Sequence, residues 1–315
     1  PAGVDMARLT VEALARRHRA RGVPLATRAL GHAHALLAAG SRAPSAARAG
    51  AALLGRLAGR HPPAPVAEWH PRPAQRDGTP VALLADTFTR FLHPEVGDAA
   101  IRVLEATGAR VEVVTPGCCG RPLLSQGLVA DARRMARRAL DRLAPATLAG
   151  LPIVVLEPSC WSMLVDDVPA LVPGDPRARW VAEATVSLER VLALLGPPAL
   201  RPDGNDVLVH AHCHARALGA GDDALAAVRL AAGDQARDSG AGCCGMAGAF
   251  GYRHPALSRR IGEMRLAPAA REAGVVVAAG TSCRAQVEDL CGRRALHPAE
   301  YLAARLEGVT PGGVG

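Results

Sequence analysis

Residues 117–120 read GCCG, and residues 242–245 read GCCG again. Adjacent cysteines framed by glycine are uncommon once, and here the frame recurs at an offset of 125 residues. Two further landmarks keep the spacing. Val81, which opens the apolar run VALLAD, answers to Val207, which opens VLVH, at an offset of 126. Cys160 in EPSC answers to Cys283 in GTSC at 123. Offsets that agree this closely at three landmarks define an internal duplication. At 126 the partner of Cys213 is Thr87, so the first copy lacks one cysteine of the second.

Around these landmarks lie short apolar runs suited to buried parallel strands: VALLAD (81–86), VEVVT (111–115) and IVVLE (153–157), then VLVH (207–210) and VVVAAG (275–280). Helical stretches separate them at 127–143, 223–232 and 255–271. Alternation of this kind predicts an α/β fold of two tandem duplicated parallel βαβ cysteine-rich repeats, 81–200 and 201–308. Cys160, Cys213 and Cys283 then stand just past the carboxyl ends of strands, the edge at which open parallel sheets gather ligands.

Upstream, Met6, Leu9, Val11, Leu14 and Ala15 recur at helical spacing within residues 4–21. Two more helices are expected over 24–39 and 44–59, with Pro24 and Pro44 at their starts. Together they form a helical arm over 1–60, joined by a Pro-rich linker at 61–80; 309–315 is expected to be a flexible tail. All the basic residues are Arg. The net charge of +8 belongs to the arm, since residues 1–76 carry 12 Arg against Asp5, Glu12 and Glu68. Solvated faces of amphipathic helices account for such a charge, as does an acidic partner or an anionic surface. Trp69 is the only aromatic there, which argues against single-stranded nucleic acid. No run reaches the roughly 18 apolar residues of a membrane span, and no signal-peptide order opens the chain. Eight cysteines without that signal indicate a reducing, cytoplasmic setting and metal or redox use.

Cys213, Cys243, Cys244 and Cys283 supply four thiols from three strand ends, a set that suits an iron–sulfur cluster or tetrahedral zinc. Gly242 and Gly245 let the backbone turn tightly and bring main-chain N–H groups to sulfur. The first copy offers only Cys118, Cys119 and Cys160. These could hold a cluster if Asp86, Thr87 or water completes the set; equally, the site could have degenerated into packing. Cys291 reads as a core residue, and His297 as an N-terminal helix residue before Pro298. His210, His212 and His214 alternate around Cys213. Of these, His212 and His214 are taken as accessory candidates, against a reading in which all three merely rim the site. No dinucleotide fingerprint, phosphate loop or nucleophile elbow is present.

The doubled pattern of a cysteine, CCG and a further cysteine resembles the cysteine-rich CCG domain of heterodisulfide reductase B subunits and of glycolate, lactate and glycerol-3-phosphate oxidising iron–sulfur subunits. DTFTRFLHPEVGDAAIRVLEATG (86–108), CCGRPLLSQG (118–127), EPSC (157–160), HCH (212–214), DSGAGCCGMAGAFGY (238–252) and SCRAQ (282–286) are similar to the C-terminal part of fused flavin and iron–sulfur dehydrogenases acting on D-lactate-like or D-2-hydroxyglutarate-like acids. The resemblance covers essentially the whole chain. It departs from the heterodisulfide reductase pattern, because each copy ends in a lone SC where that family has C-x-x-C.

The resemblance implies an iron–sulfur electron-transfer module, of 4Fe-4S type, that is not catalytically complete alone. FAD would sit in a partner dehydrogenase domain. A ferredoxin-like segment would precede Pro1, and a quinone or cytochrome would accept the electrons. The expected setting is cytoplasmic, with peripheral contact at the inner face of a membrane. Two alternatives stand beside this: a redox-silent zinc-binding or docking module, and a thiol/disulfide reductase.

Overall fold

β1 (Thr79–Leu84), β2 (Ala109–Val114), β3 (Ile153–Val155) and β4 (Thr185–Ser187) lie side by side in the order β2-β1-β3-β4, every pair parallel. β5 (Val207–His210), β6 (Ala236–Asp238) and β7 (Val275–Ala278) repeat that arrangement as β6-β5-β7. Leu296 bridges Val277 in parallel, at the place β4 takes in the first sheet. The structure, a computed structural model, describes residues 5–307. Pro1 and the expected tail at 309–315 lie outside the described residues.

The apolar runs form strands because both of their faces are covered. Val81, Leu83, Val207, Val209 and Val277 share one core with Tyr301 and Leu302, which come from the helix Pro298–Ala303. Fully burying each such side chain stabilises the fold by about 1.5–3 kcal/mol. The first sheet's other face packs Ala82, Leu84, Ile153 and Val155 against Leu140 and Leu143 of the helix Val129–Leu148. In both copies the strand order reverses beside the first strand. The crevice there opens at the carboxyl ends, as the topological switch points of open parallel sheets do.

Several elements depart from their sequence expectations. β4 and β6 hold three residues each, too few to show a period. The apolar run at 153–157 ends early because Glu157 caps the next helix, accepting from the Ser159 N–H. The expected helix at 24–39 is two helices, Leu25–Gly31 and Ala33–Gly40, broken at His32. That at 255–271 breaks at Arg265 into Pro255–Met264 and Leu266–Glu272.

The arm lies on the chain's own repeats. His18 Nε2 meets the Gln126 carbonyl at 2.9 Å. Arg253 donates to Thr27 Oγ1 at 2.9 Å. A Cβ at Gly127 would stand 2.5 Å from Leu14 Cβ, so that glycine, at φ +73, sets how closely the first helix approaches. The Pro-rich stretch has no regular element before Thr79, yet it is tied down. The Val66 and Trp69 N–H groups donate to the carbonyls of Phe91 and Arg90, and buried Trp69 donates through Nε1 to Asp98.

The repeats meet along the carboxyl ends of β3 and β7. Glu157 Oε2 accepts from the Thr281 N–H at 2.9 Å, Ser162 Oγ pairs with His214 Nδ1 at 2.7 Å, and His297 Nε2 meets the Leu156 carbonyl at 3.1 Å. His297 also caps Pro298–Ala303 in a capping box with Glu300. Its ring is thereby held neutral, with a pKa of about 3 that burial and Arg284 bring down.

Candidate metal centres

Each CCG turn is built the same way. Gly120 and Gly245 both adopt φ +94, and their N–H groups donate to Cys118 Sγ at 3.4 Å and Cys243 Sγ at 3.3 Å. A Cβ at Gly245 would stand 2.4 Å from the Ser258 carbonyl oxygen, so only glycine fits. Gly242 is under no such constraint; it has open space and an ordinary φ.

At the second centre the ligand atoms of His210, Cys244 and Cys283 all lie within 4.8 Å of one another. Cys243 stands beside Cys244. Cys213, at the start of the helix Cys213–Ala217, has its pKa raised by burial and then by the nearby Cys243. Cys244 and Cys283 are buried, Cys213 is half-buried and Cys243 is exposed, so the centre has one open side.

His210 is not among the accessory candidates of the sequence, and the structure brings it in where His212 and His214 go elsewhere. Its Nδ1 pairs with Ser239 Oγ at 3.0 Å. Ser239 in turn donates to Asp238 and accepts from the Ala241 N–H. This network places the proton on Nδ1 and leaves Nε2 as a buried lone pair with no partner. A metal ligand held by an outer hydrogen bond has this arrangement. Burial, then Arg216, lower the His210 pKa to about 4, so the ring is neutral and ready to coordinate.

His212 instead caps Cys213–Ala217, accepting from the His214 N–H, with its ring against Gly280 at the repeat interface. His214 turns to Ser162 of the first repeat. The alternation HAHCH suits one face of a strand, but β5 stops at His210, whose ring turns to Ser239 while the His212 and His214 rings lie together, 5.3 Å apart.

At the first centre Cys119 Sγ and Cys160 Sγ lie 3.1 Å apart. Cys118 stands beside Cys119 and Thr87. The Thr87 hydroxyl also meets His34 Nδ1 from the arm at 2.9 Å. All three cysteines are buried. Asp86 is engaged as the cap of Thr87–Phe91: Oδ1 accepts from the Phe88 and Thr89 N–H groups and Oδ2 from Thr89 Oγ1. Thr87 thus stands nearest to the position that Cys213 holds in the second copy. Cys291 sits at the end of the helix Thr281–Cys291, its thiol directed at the Ala267 carbonyl and away from both centres.

Cys118, Cys160 and Cys243 are held protonated. Hydrogen bonding to Cys119, then burial, push Cys118 well above its ordinary range, and the same combination raises Cys243 beside Cys244. At Cys160 the hydrogen bond from Cys119 favours the thiolate, but burial and the Asp86 and Glu157 carboxylates outweigh it, leaving a pKa of about 11. A nucleophilic cysteine needs the opposite shift. Clustered thiols of this kind ionise when a cation arrives to compensate them.

The sequence model of the cysteine-rich domain, CCG, matches residues 85–165 and 207–288, just over half of the chain. The chain therefore belongs to the CCG cysteine-rich domain family and carries the domain twice. It is 29% identical over 238 residues to one of the subunits of anaerobic glycerol-3-phosphate dehydrogenase from Escherichia coli, covering 72% of this chain and 59% of that one. It is 29% identical over 236 residues to D-2-hydroxyglutarate dehydrogenase of Pseudomonas putida, covering 73% and 23%. With lactate utilization protein A of Bacillus velezensis the identity is 27% over 245 residues, covering 71% and 99%. The chain thus spans only part of the first two relatives.

Proposed function

We propose that this chain is an iron–sulfur electron-transfer module of a flavin-dependent dehydrogenase acting on a 2-hydroxy acid of D-lactate, D-2-hydroxyglutarate or glycolate type. The observation that carries this reading is the second centre: a buried His210 ring, unpartnered at Nε2, with a ring nitrogen within 4.8 Å of the Cys244 and Cys283 sulfurs. Cys213, Cys243, Cys244 and Cys283 would hold a cluster of 4Fe-4S type, with His210 able to replace one thiolate. Cys118, Cys119 and Cys160, with Thr87, would form the first centre. When bound, a cluster supplies one-electron carriage. The Gly120 and Gly245 N–H groups donate to sulfur, Ser239 orients His210, and the repeats exclude water from Cys244 and Cys283. The relatives' names support a dehydrogenase partner, which would contribute the FAD and the substrate site.

Glycerol 3-phosphate is the second substrate reading. Like D-lactate and D-2-hydroxyglutarate it presents a secondary alcohol near an anionic group, and it appears in the name of a relative. The free cysteines favour a reducing, cytoplasmic setting. Among the described residues no helix is long and apolar enough to cross a membrane. A three-cysteine, one-histidine set also suits structural zinc, which would make the chain a docking module. Iron, acid-labile sulfide and zinc per chain, counted after anaerobic purification of wild type and Cys244→Ser, decide between them. Iron and sulfide that fall in the variant support the electron-transfer reading; stoichiometric zinc overturns it.

A further inference from the structure

We infer that Arg60, the last residue of the arm, is a positioning and electrostatic residue of the second centre, holding its CCG turn from behind and raising its reduction potential. The inference rests on the iron–sulfur reading above and concerns a residue outside both cysteine sets.

Arg60 is 5% exposed although it stands at the end of a solvent-facing arm. Nη1 lies 2.7 Å from Met246 Sδ and donates to Ser258 Oγ at 3.0 Å and the Gly251 carbonyl at 3.3 Å. Nη2 donates to Gln286 Oε1 and to Asp289 Oδ2, the latter at 2.7 Å. Every partner belongs to the second repeat. Met246 follows the CCG turn by one residue, and Gln286 follows Cys283 by three. A Cβ at Gly262 would stand 2.7 Å from Gln286 Nε2 and 3.1 Å from the Cys244 carbonyl oxygen, so the amide that Arg60 grips packs directly against the cysteine turn.

The first copy shows what this replaces. At the 123-residue offset that aligns Cys160 with Cys283, Gln286 answers to Met163, while the Ser258 carbonyl beside Gly245 has the Ala132 carbonyl as its counterpart beside Gly120. Met163 Cε would stand 3.3 Å from a Cβ at Gly120, and Gln286 Nε2 3.1 Å from one at Gly245. The thioether behind the first turn is thus an amide behind the second, and the guanidinium from the arm grips that amide and meets the Met246 sulfur.

That cation is paired on its outer side with Asp289, which also accepts from Arg259 at 2.9 Å, so the three groups together keep one positive charge. Arg284, immediately after Cys283, is buried as well and answers to Trp161 in the first copy. The Asp86 and Glu157 carboxylates stand beside Cys160 of the first centre, and Glu157 also faces Arg284 and Cys213 of the second. Adding an electron to a centre adds negative charge, which a nearby cation in a low-dielectric interior favours.

The full chain is purified anaerobically, iron and sulfide are counted, and reduction is titrated against potential by visible absorbance and paramagnetic resonance. The second centre is the signal abolished by Cys244→Ser. In Arg60→Gln its reduced-to-oxidised ratio at a fixed potential should fall about tenfold, a drop of about 59 mV for one electron. Arg60→Lys should restore most of it, and Gln286→Met, which copies the first repeat, should shift the midpoint in the same downward direction. If Arg60→Gln fails to retain iron, the lysine and Gln286→Met variants decide. An unchanged midpoint in iron-replete Arg60→Gln or Gln286→Met overturns the role of Arg60 and leaves the iron–sulfur reading standing. Absence of iron from the wild type overturns both.

Discussion

Cys119 Sγ and Cys160 Sγ lie 3.1 Å apart although 41 residues separate them in the chain. Nothing but shared position at the carboxyl edge of one sheet brings them together: Cys119 follows β2, and Cys160 follows β3. In metal-free protein, diamide should oxidise this pair to a disulfide, the two thiols losing two electrons and two protons to the oxidant. Peptide mapping should find a 119–160 crosslink, and metal loading should suppress it. A crosslink that forms equally in loaded protein would remove Cys119 and Cys160 from the ligand set.

Replacing His210 with alanine deletes the ring nitrogen that lies within 4.8 Å of the Cys244 and Cys283 sulfurs. Metal retention at the second centre should weaken by about tenfold or more, the scale seen when even the supporting partners of a ligand are lost. Metal content after dialysis against a graded chelator measures it. His212→Ala should leave that retention nearly unchanged, and equal losses from the two variants would mean that His210 acts only through packing.

Gly280 occupies the place in the second copy that Glu157 holds in the first. A Cβ there would stand 2.2 Å from His212 Cδ2, a contact within the second repeat. Gly280→Ala should therefore destabilise the chain by about 1–3 kcal/mol, the usual cost of overpacking. Urea denaturation reads this as a lower midpoint. An unshifted midpoint would mean that the His212 ring can move aside at no cost.

Glu189 is buried at the start of the helix Leu188–Leu195, with Oε1 unpartnered. Burial, helped by Asp223, raises its pKa to about 7. Its ordinary value is about 4.3. The folded state holds this proton more tightly than the unfolded chain does, so the stabilisation is complete below about pH 4 and is lost as pH rises toward 7. At 1.36 kcal/mol per unit the loss is about 4 kcal/mol. Glu189→Gln should unfold at a higher denaturant concentration than wild type at pH 8. Parallel wild-type and variant profiles between pH 5 and 8 would count against the shifted carboxyl.

His210 and His214 both sit near a pKa of 4, lowered by burial and then by Arg216 and Arg121 respectively. The ordinary value is about 6.5, so the unfolded chain binds these protons first. Metal-free protein should lose stability as pH falls from 6.5 toward 4, by about 3 kcal/mol per ring at full loss. Thermal melts at pH 6.5 and 4.5 measure this, and His214→Asn should shallow the dependence.

The apolar runs at 81–86, 111–115, 153–157, 207–210 and 275–280 are local signals. A continuous apolar stretch with Val and Leu can be covered only inside a sheet, so a parallel α/β pair of repeats was legible from the sequence. So was the duplication, because Cys118, Cys119 and Cys160 recur in register as Cys243, Cys244 and Cys283. β4 and β6 were not, since three residues hold no period and their pairing depends on a neighbour far along the chain.

The choice among the histidines belongs to the folded state. His210, His212 and His214 alternate identically in the sequence, but β5 stops after His210, and the turn that follows carries the His212 and His214 rings together to the seam and leaves His210 at the cysteines. Arg60 is the same kind of case. As one of 12 Arg within residues 1–76 it carries no local mark. Its partners Met246, Ser258 and Gln286 lie about 190 to 230 positions away, and only packing the arm onto the second repeat buries it. Residue type and spacing set which chemistry the chain can offer. Which atoms meet depends on where strands end and on which surfaces exclude water, and those are properties of the whole fold.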